Sequence, residues 1–241
     1  MSIEDITGGA ARSPNLPLRA DQLIAMARGF AWLSMGLLFT FLLLFGLLEW
    51  HLPQFGITLP PSLASAGLSV FGGILWWRAA EQLRPWRWHA RLATCLAALQ
   101  VYLAPLALWW RHDLASLHLF LNSMTLLASL PALAWVITRQ AEATGRMLGD
   151  HSLATEARFG RRALIFPVLL ITVLLSAYET AIYLGAPWPE LPALALPGFV
   201  LQPWIIMANL GAVLMTLSIG WRCTHACQKA LVHTAKQPFT P

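Results

Sequence analysis

Few residues of this sequence combine an ionisable side chain with an apolar neighbourhood. The long apolar stretches contain no Lys or Arg, one Glu (Glu179) and one His (His118). Because an ionisable group in lipid costs about 2–3 kcal/mol, each of the two needs a physical reason. Glu179 is either a neutral carboxyl that hydrogen bonds to a neighbouring helix or a carboxyl that exchanges protons or contacts lipid. The sequence leaves both interpretations open.

Amide side chains accompany these two residues. Asn122 follows His118 by four positions, so the two share one face of a helix, and Asn209 is a polar residue within the last apolar stretch. Four more residues could form an outer polar cluster, even a metal site, if the fold brought them together: Glu49, His51, His112 and Asp113. Their spacing matches no metal-ligand motif, and a b-type haem needs two facing histidines. We therefore expect no metal and no cofactor.

The three cysteines are Cys95, Cys223 and Cys227, and we expect no structural disulfide among them. Cys223, His225 and Cys227 form a C-x-H-x-C run that lacks the second ligand pair typical of a metal site. Packing beside the membrane or attachment of a palmitoyl-type chain explains the cysteines at least as well. The sequence lacks the phosphate-binding glycine loop, H-E-x-x-H and G-x-S-x-G. We therefore expect a non-catalytic protein and leave enzymatic activity open.

The composition indicates the environment that these residues occupy. Of the 241 residues, 57% are hydrophobic and only 11% are charged, and the mean hydropathy is +0.60. One soluble core cannot hide that much apolar surface, so lipid must cover it. The net charge of +5 does not indicate nucleic acid as a partner, because the basic residues occupy short segments between the apolar stretches.

The lengths of the apolar stretches predict an all-α integral membrane protein with a six-helix transmembrane bundle. Each stretch is about 17–24 residues long, which is enough to cross roughly 30 Å of hydrocarbon as a helix. The predicted spans are 30–48, 60–77, 92–110, 114–136, 163–185 and 198–221. We divide the chain into an N-terminal tail (1–28), a six-helix transmembrane domain (29–222) and a C-terminal tail (223–241).

The distribution of basic residues predicts the orientation. The tails and the segments 78–91 and 139–162 carry fifteen Lys and Arg residues, whereas the alternate segments contain only Arg111. Because basic loops stay on the cytoplasmic side, both termini are expected inside, in a multi-pass protein of the cell's inner (cytoplasmic) membrane. Residues 1–28 lack an apolar stretch, so we expect no cleaved signal peptide.

The second predicted span carries small residues four positions apart, at Ser65, Ser69 and Gly73. Small side chains at this spacing let one helix face approach another closely. The contact could lie within the bundle or at a subunit interface, and the sequence does not separate the two.

Three motifs resemble subunit III of the haem–copper (cytochrome c) oxidases. The second span ends in Trp76-Trp77-Arg78, similar to that family's W-W-R. The fourth span contains Leu121-Asn122-Ser123, Leu126-Leu127, Ser129 and Trp135, which resembles the family's L-N-T-x-x-L-L-x-S pattern and later Trp. The fifth contains Leu174-Leu175-Ser176-Ala177-Tyr178-Glu179, similar to L-L-Q-A-x-E. The resemblance covers roughly residues 30–221, but the family's carboxylate on the third helix falls near Gln100 or Val101 here.

The resemblance implies a subunit without redox centres that packs beside a catalytic subunit, binds phospholipid between its helices and supports proton uptake. We therefore expect a non-catalytic subunit of a larger, respiratory complex, with other membrane subunits and phospholipids as partners. Two alternatives remain. In a small transporter or permease subunit, Glu179, His118 and Asn209 would line a pathway. In a membrane enzyme, the outer polar or metal site would carry the reaction.

The predicted orientation can be tested with an impermeant thiol reagent added to intact cells. We expect Phe55→Cys and Trp188→Cys to react, because both positions lie in the segments that are poor in basic residues. Native Cys227 should not react. Labelling of Cys227 from outside, or protection of both introduced cysteines, would reverse the orientation.

Overall fold

Helices account for nearly all of the described structure. The computed structural model of the chain describes residues 19–44, 61–80, 84–110, 117–171, 173 and 191–236. The helices are α1 (Ala20–Leu44), α2 (Pro61–Ala80), α3 (Arg84–Trp110), α4 (Leu117–Leu148), α5 (His151–Ala163) and α6 (Leu191–Lys236). Residues 165–171 are also helical, and no strand occurs among the described residues. The all-α prediction is confirmed for this part of the chain.

Three helices contain a segment long and apolar enough to cross a membrane: Ala20–Leu43, His118–Leu148 and Ile206–Val232. They support the prediction of a membrane protein. Helices α2 and α3 overlap the second and third predicted spans, 60–77 and 92–110, although α3 begins earlier, at Arg84. Most of the fifth predicted span, residues 172 and 174–185, lies outside the described residues.

Helices α1 and α2 are antiparallel and approach closely through small residues. A Cβ atom added to Gly36 would lie 2.2 Å from Ser69 Oγ and 2.7 Å from the Ser69 backbone nitrogen. The hydroxyls of Thr40 and Ser65 are 3.1 Å apart across the same interface. Ser65 and Ser69, the small residues predicted to allow close packing, therefore lie against α1 within the chain.

Gly73 faces a different neighbour. A Cβ atom there would lie 2.7 Å from the Thr94 side chain of α3. On α1, Gly29 lies beneath the Trp76 ring, which also meets Phe30 edge-on with ring centroids 4.6 Å apart. Small residues on both sides of α2 thus let it pack between α1 and α3.

Helix α6 packs against α1, α4 and α5. Against α1, a Cβ atom on Gly220 would lie 2.2 Å from Ser34 Oγ, and the Thr224 hydroxyl donates to the Ala27 carbonyl at 3.2 Å. The described arginines of α1 to α6 lie at one end of the bundle, the end where Thr224 meets Ala27. We call this the basic end. Arg28, Arg78, Arg91 and Arg222 are examples of these arginines.

The helices extend beyond the predicted spans at the basic end. Helix α1 begins at Ala20, inside the predicted tail 1–28, and α6 continues to Lys236 through most of 223–241. Segment 139–162, predicted as an inner loop, is mostly helix: the end of α4, a short turn and α5. At 32 residues, α4 is about 48 Å long, more than the roughly 30 Å that the hydrocarbon requires. Charges end an apolar span, but Ala, Glu and Arg continue a helix readily.

Candidate functional site

A tight turn folds α5 back along α4. Gly149 adopts a left-handed conformation with φ of 73°, which glycine reaches without steric cost. The Asp150 N–H donates to the Gly145 carbonyl at 2.8 Å, and Asp150 Oδ1 accepts from the Leu153 N–H at 2.9 Å. These bonds cap both helices, so α5 starts immediately and runs antiparallel to α4.

Small residues bring α5 close to its neighbours. Its buried face consists of Leu153, Ala154, Ala157 and Gly160. A Cβ atom on Gly145 of α4 would lie 2.9 Å from the Ala154 nitrogen, and one on Gly160 would lie 2.6 Å from Ile219 Cδ1 of α6. The helix therefore packs against both α4 and α6, and polar side chains such as Arg158 and Arg162 remain exposed.

One buried carboxylate lies where α4 and α5 meet. The Glu142 side chain is only 2% exposed, and four arginines contact it. Arg139 and Arg146 belong to α4, and Arg158 and Arg161 belong to α5. Arg139 Nη1 lies 3.2 Å from Oε2 and Arg158 Nε lies 3.2 Å from Oε1, while Arg146 and Arg161 make ion pairs with Oε1 and Oε2 respectively. We call these four residues the arginine cluster.

The charges of this site do not balance. Burial alone favours a neutral carboxyl, but donors on both oxygens and four positive charges favour the carboxylate. The arginine side chains are 21% to 56% exposed, so each guanidinium also reaches the surface. The arginine cluster therefore neutralises Glu142 and leaves a surplus of positive charge at the basic end.

Helix α5 has a second polar connection, to α6. Arg222 forms an ion pair with Glu156, and its guanidinium donates to the Ser152 hydroxyl at 3.3 Å. Both members of the ion pair are about half exposed, so this connection is weaker than the buried one.

An apolar groove begins beside the arginine cluster. It has a volume of about 530 Å³ and lies between α3, α4 and the helical residues after α5. Trp135 and Ala128 line it from α4, and Ile165 and Leu169 line it from the returning chain. The helical residues after α5 run antiparallel to α4. Arg161 and Arg162 therefore lie at the end of the groove that is nearer the turn between α4 and α5. We call this feature the α4 groove.

The structure places some of the predicted site residues and not others. His118 is exposed at the start of α4, and its Nε2 lies 3.1 Å from Nδ2 of Asn122. Asn209 is buried on α6. Glu179 and the proposed outer cluster (Glu49, His51, His112 and Asp113) lie outside the described residues.

The other motif residues occupy different positions. Trp76 is buried, whereas Trp77 is partly exposed with Arg91 5.5 Å from its ring, and Arg78 is exposed. Ser123 is buried on α4, and Trp135 is 41% exposed in the α4 groove.

The C-terminal cysteines face the interior. Cys223 and Cys227 are buried, and the Cys223 side chain lies beside Cys227 and beside Thr144 of α4. His225 lies on the exposed side of α6 beside Trp221. Within the described residues, no three His, Cys, Asp or Glu side chains lie close enough to hold a metal ion. Because Cys227 is buried, exposed Gln228 substituted with Cys gives a better inner reference for thiol labelling.

The sequence-based predictions included segment 139–162 only as a topology signal, and Glu142 was not among the predicted site residues. A signal was present: Glu142 follows Arg139 by three residues and precedes Arg146 by four, the spacing of ion pairs on one helix face. Arg158 and Arg161 have no such signal, because their distance from Glu142 depends on the turn.

Comparison of the sequence with protein-family models, curated proteins and solved structures found no match. The candidate site therefore rests on its own geometry.

We predict that Glu142→Gln destabilises the protein by roughly 2 kcal/mol. This is below the range of about 3–5 kcal/mol for breaking a buried ion pair, because water still reaches the arginines. The variant leaves four arginines without their counter-charge, so thermal unfolding in detergent should begin at a lower temperature and trypsin should cleave faster at Arg158 and Arg161.

Glu156→Gln is the matched control, because Glu156 is a half-exposed carboxylate of α5 with one arginine partner. Its effect should be below about 1 kcal/mol. Equal losses of stability from the two substitutions would show that the burial of Glu142 adds nothing to its contribution to stability.

Proposed function

We propose that this chain is a six-span protein of the cytoplasmic membrane, with both termini inside, and a non-catalytic subunit of a larger respiratory complex. There it supports assembly, lipid binding and proton uptake. The location of the described arginines at one end of the bundle supports this orientation, because basic segments remain on the cytoplasmic side.

The environment of Glu142 is the observation that carries this proposal. Both oxygens of the carboxylate are occupied by arginines, so it has little capacity to take a proton from a substrate or to activate water. Its role is to join α4 and α5. The most concentrated group of charges in the described residues thus builds structure, as expected of a supporting subunit.

The resemblance to subunit III of the haem–copper oxidases is the reason for proposing a respiratory complex. The motif residues Asn122, Ser123 and Trp135 all belong to α4, and Trp76, Trp77 and Arg78 lie near the end of α2 at the basic end. Large apolar side chains such as Phe71, Tyr102 and Met207 are exposed, which suits contact with lipid or with neighbouring subunits.

A small transporter is the second candidate, and Gln100 favours it. This side chain of α3 is fully buried, and neither of its polar atoms has a hydrogen-bond partner among the described residues. The buried Ser123 hydroxyl on α4 is also without one. An unsatisfied buried polar group costs about 1–3 kcal/mol, a cost that a passing solute or water would offset.

Purification from native membranes in mild detergent tests the proposed function. We expect the tagged chain to bring down other multi-pass membrane proteins at a fixed ratio, with an absorption spectrum that shows a partner's haem. Recovery of the chain alone would contradict the proposal.

Glu179 variants separate the two candidates. In a supporting subunit, Glu179→Gln should assemble normally while the complex loses activity gradually during turnover, and Glu179→Leu should weaken association because it leaves a hydrogen-bond partner unsatisfied. If the isolated chain moves a solute in proteoliposomes, and Glu179→Gln or Gln100→Leu stops it, the transporter is correct.

A further inference from the structure

The α4 groove combines an apolar wall with positive charge at one end. Ile165 and Leu169 are each 58% exposed along the groove, and Val168 is 45% exposed. Its volume of about 530 Å³ is within the range of about 300–1,000 Å³ typical of small-molecule sites. A groove of this composition holds water poorly, because its wall offers few polar partners.

We propose that the α4 groove binds one anionic phospholipid, with an acyl chain along the apolar wall and the phosphate at Arg161 and Arg162. This inference rests on the proposed membrane-embedded function, and it names the class of lipid and the place where the lipid binds.

The charges at the groove favour an anionic headgroup. Arg162 is exposed and has no carboxylate partner among the described residues, whereas Arg161 shares its charge with Glu142. The arginine cluster already places four arginines around one buried carboxylate, and Arg162 adds a fifth positive charge beside Arg161. Guanidinium groups bind phosphate through paired hydrogen bonds. A zwitterionic lipid adds an ammonium group to this positive field and therefore binds less well.

The direction of the groove matches the depth profile of a bilayer. The end lined by Ala128 and Leu169 continues along the apolar part of α4, which belongs to a membrane-crossing segment. The opposite end reaches Arg161 and Arg162 at the end of α5, where Arg161 pairs with Glu142 of α4, beyond the predicted apolar span 114–136. Basic grooves between helices at the membrane surface bind anionic headgroups in this way. A soluble anion would use the arginines but leave the apolar wall exposed.

Fluorescence quenching by lipids with brominated acyl chains tests the proposal, because Trp135 lies in the groove. The full-length chain is reconstituted into vesicles of phosphatidylcholine containing either brominated phosphatidylglycerol or brominated phosphatidylcholine. The quenching lost in Trp135→Phe is the part that reports on the groove. We expect phosphatidylglycerol to quench this part at lower concentration than phosphatidylcholine.

Two variants test the contact with the lipid headgroup and the contact with the acyl chain separately. Arg162→Ala should reduce the preference for phosphatidylglycerol roughly fivefold, and it leaves the four ion pairs of Glu142 intact. Ala128→Phe fills the groove and should reduce Trp135 quenching by both lipids. The matched control is Arg28→Ala, an exposed arginine of α1 at the same end of the bundle, which should leave the preference unchanged.

Three results would overturn the inference: equal quenching by the two lipids in the wild-type chain, equal losses in Arg162→Ala and Arg28→Ala, or no effect of Ala128→Phe. Circular dichroism and flotation of the vesicles show in the same samples whether the chain is folded and inserted. A folded, inserted chain without lipid preference refutes the lipid site alone, whereas failure to insert refutes the proposed function as well.

Discussion

The ionised carboxylate of Glu142 is the constraint on which the basic end of the structure depends. A buried negative charge is tolerated only where opposite charges and hydrogen bonds surround it, and here α4 and α5 each provide two arginines. If α5 moved away, Glu142 would lose half of these partners. The same contact places Arg161 and Arg162 at the end of the α4 groove, so the surface charge of this region follows from one buried residue.

Elsewhere the bundle is held by close contacts between small residues. Apolar side chains gain little from leaving lipid, so helices in a membrane associate mainly through tight packing. Gly36 beneath Ser69, Gly220 beneath Ser34 and Gly160 beneath Ile219 are contacts of this kind. The third contact joins α5 to α6. Packing therefore determines where α5 fits, and the ion pairs of Glu142 hold it there.

Hydropathy was enough to predict the helical class and the apolar parts of α1 to α4, because the need to satisfy the backbone in lipid leaves few other structures. It could not predict α5. Hydropathy detects the charges of segment 139–162, but it does not show that a turn brings Arg158 and Arg161 to Glu142. The cysteines show the same limit: the sequence places Cys223 and Cys227 on one helix face, and only the approach of α4 shows that this face meets Thr144. Long-range partners depend on the tertiary fold, which periodicity does not encode.

The most direct test of the account is the distance between α5 and α6 in a lipid bilayer. Spin labels at Phe159→Cys and Gln228→Cys, both exposed positions, report it by pulsed electron paramagnetic resonance in nanodiscs when Cys95, the exposed native cysteine, is replaced by Ser. The account predicts one narrow distance distribution, which Glu142→Gln broadens toward longer distances. A broad distribution with Glu142 intact, or an unchanged narrow one in Glu142→Gln, would contradict the claim that this carboxylate holds α5 in place.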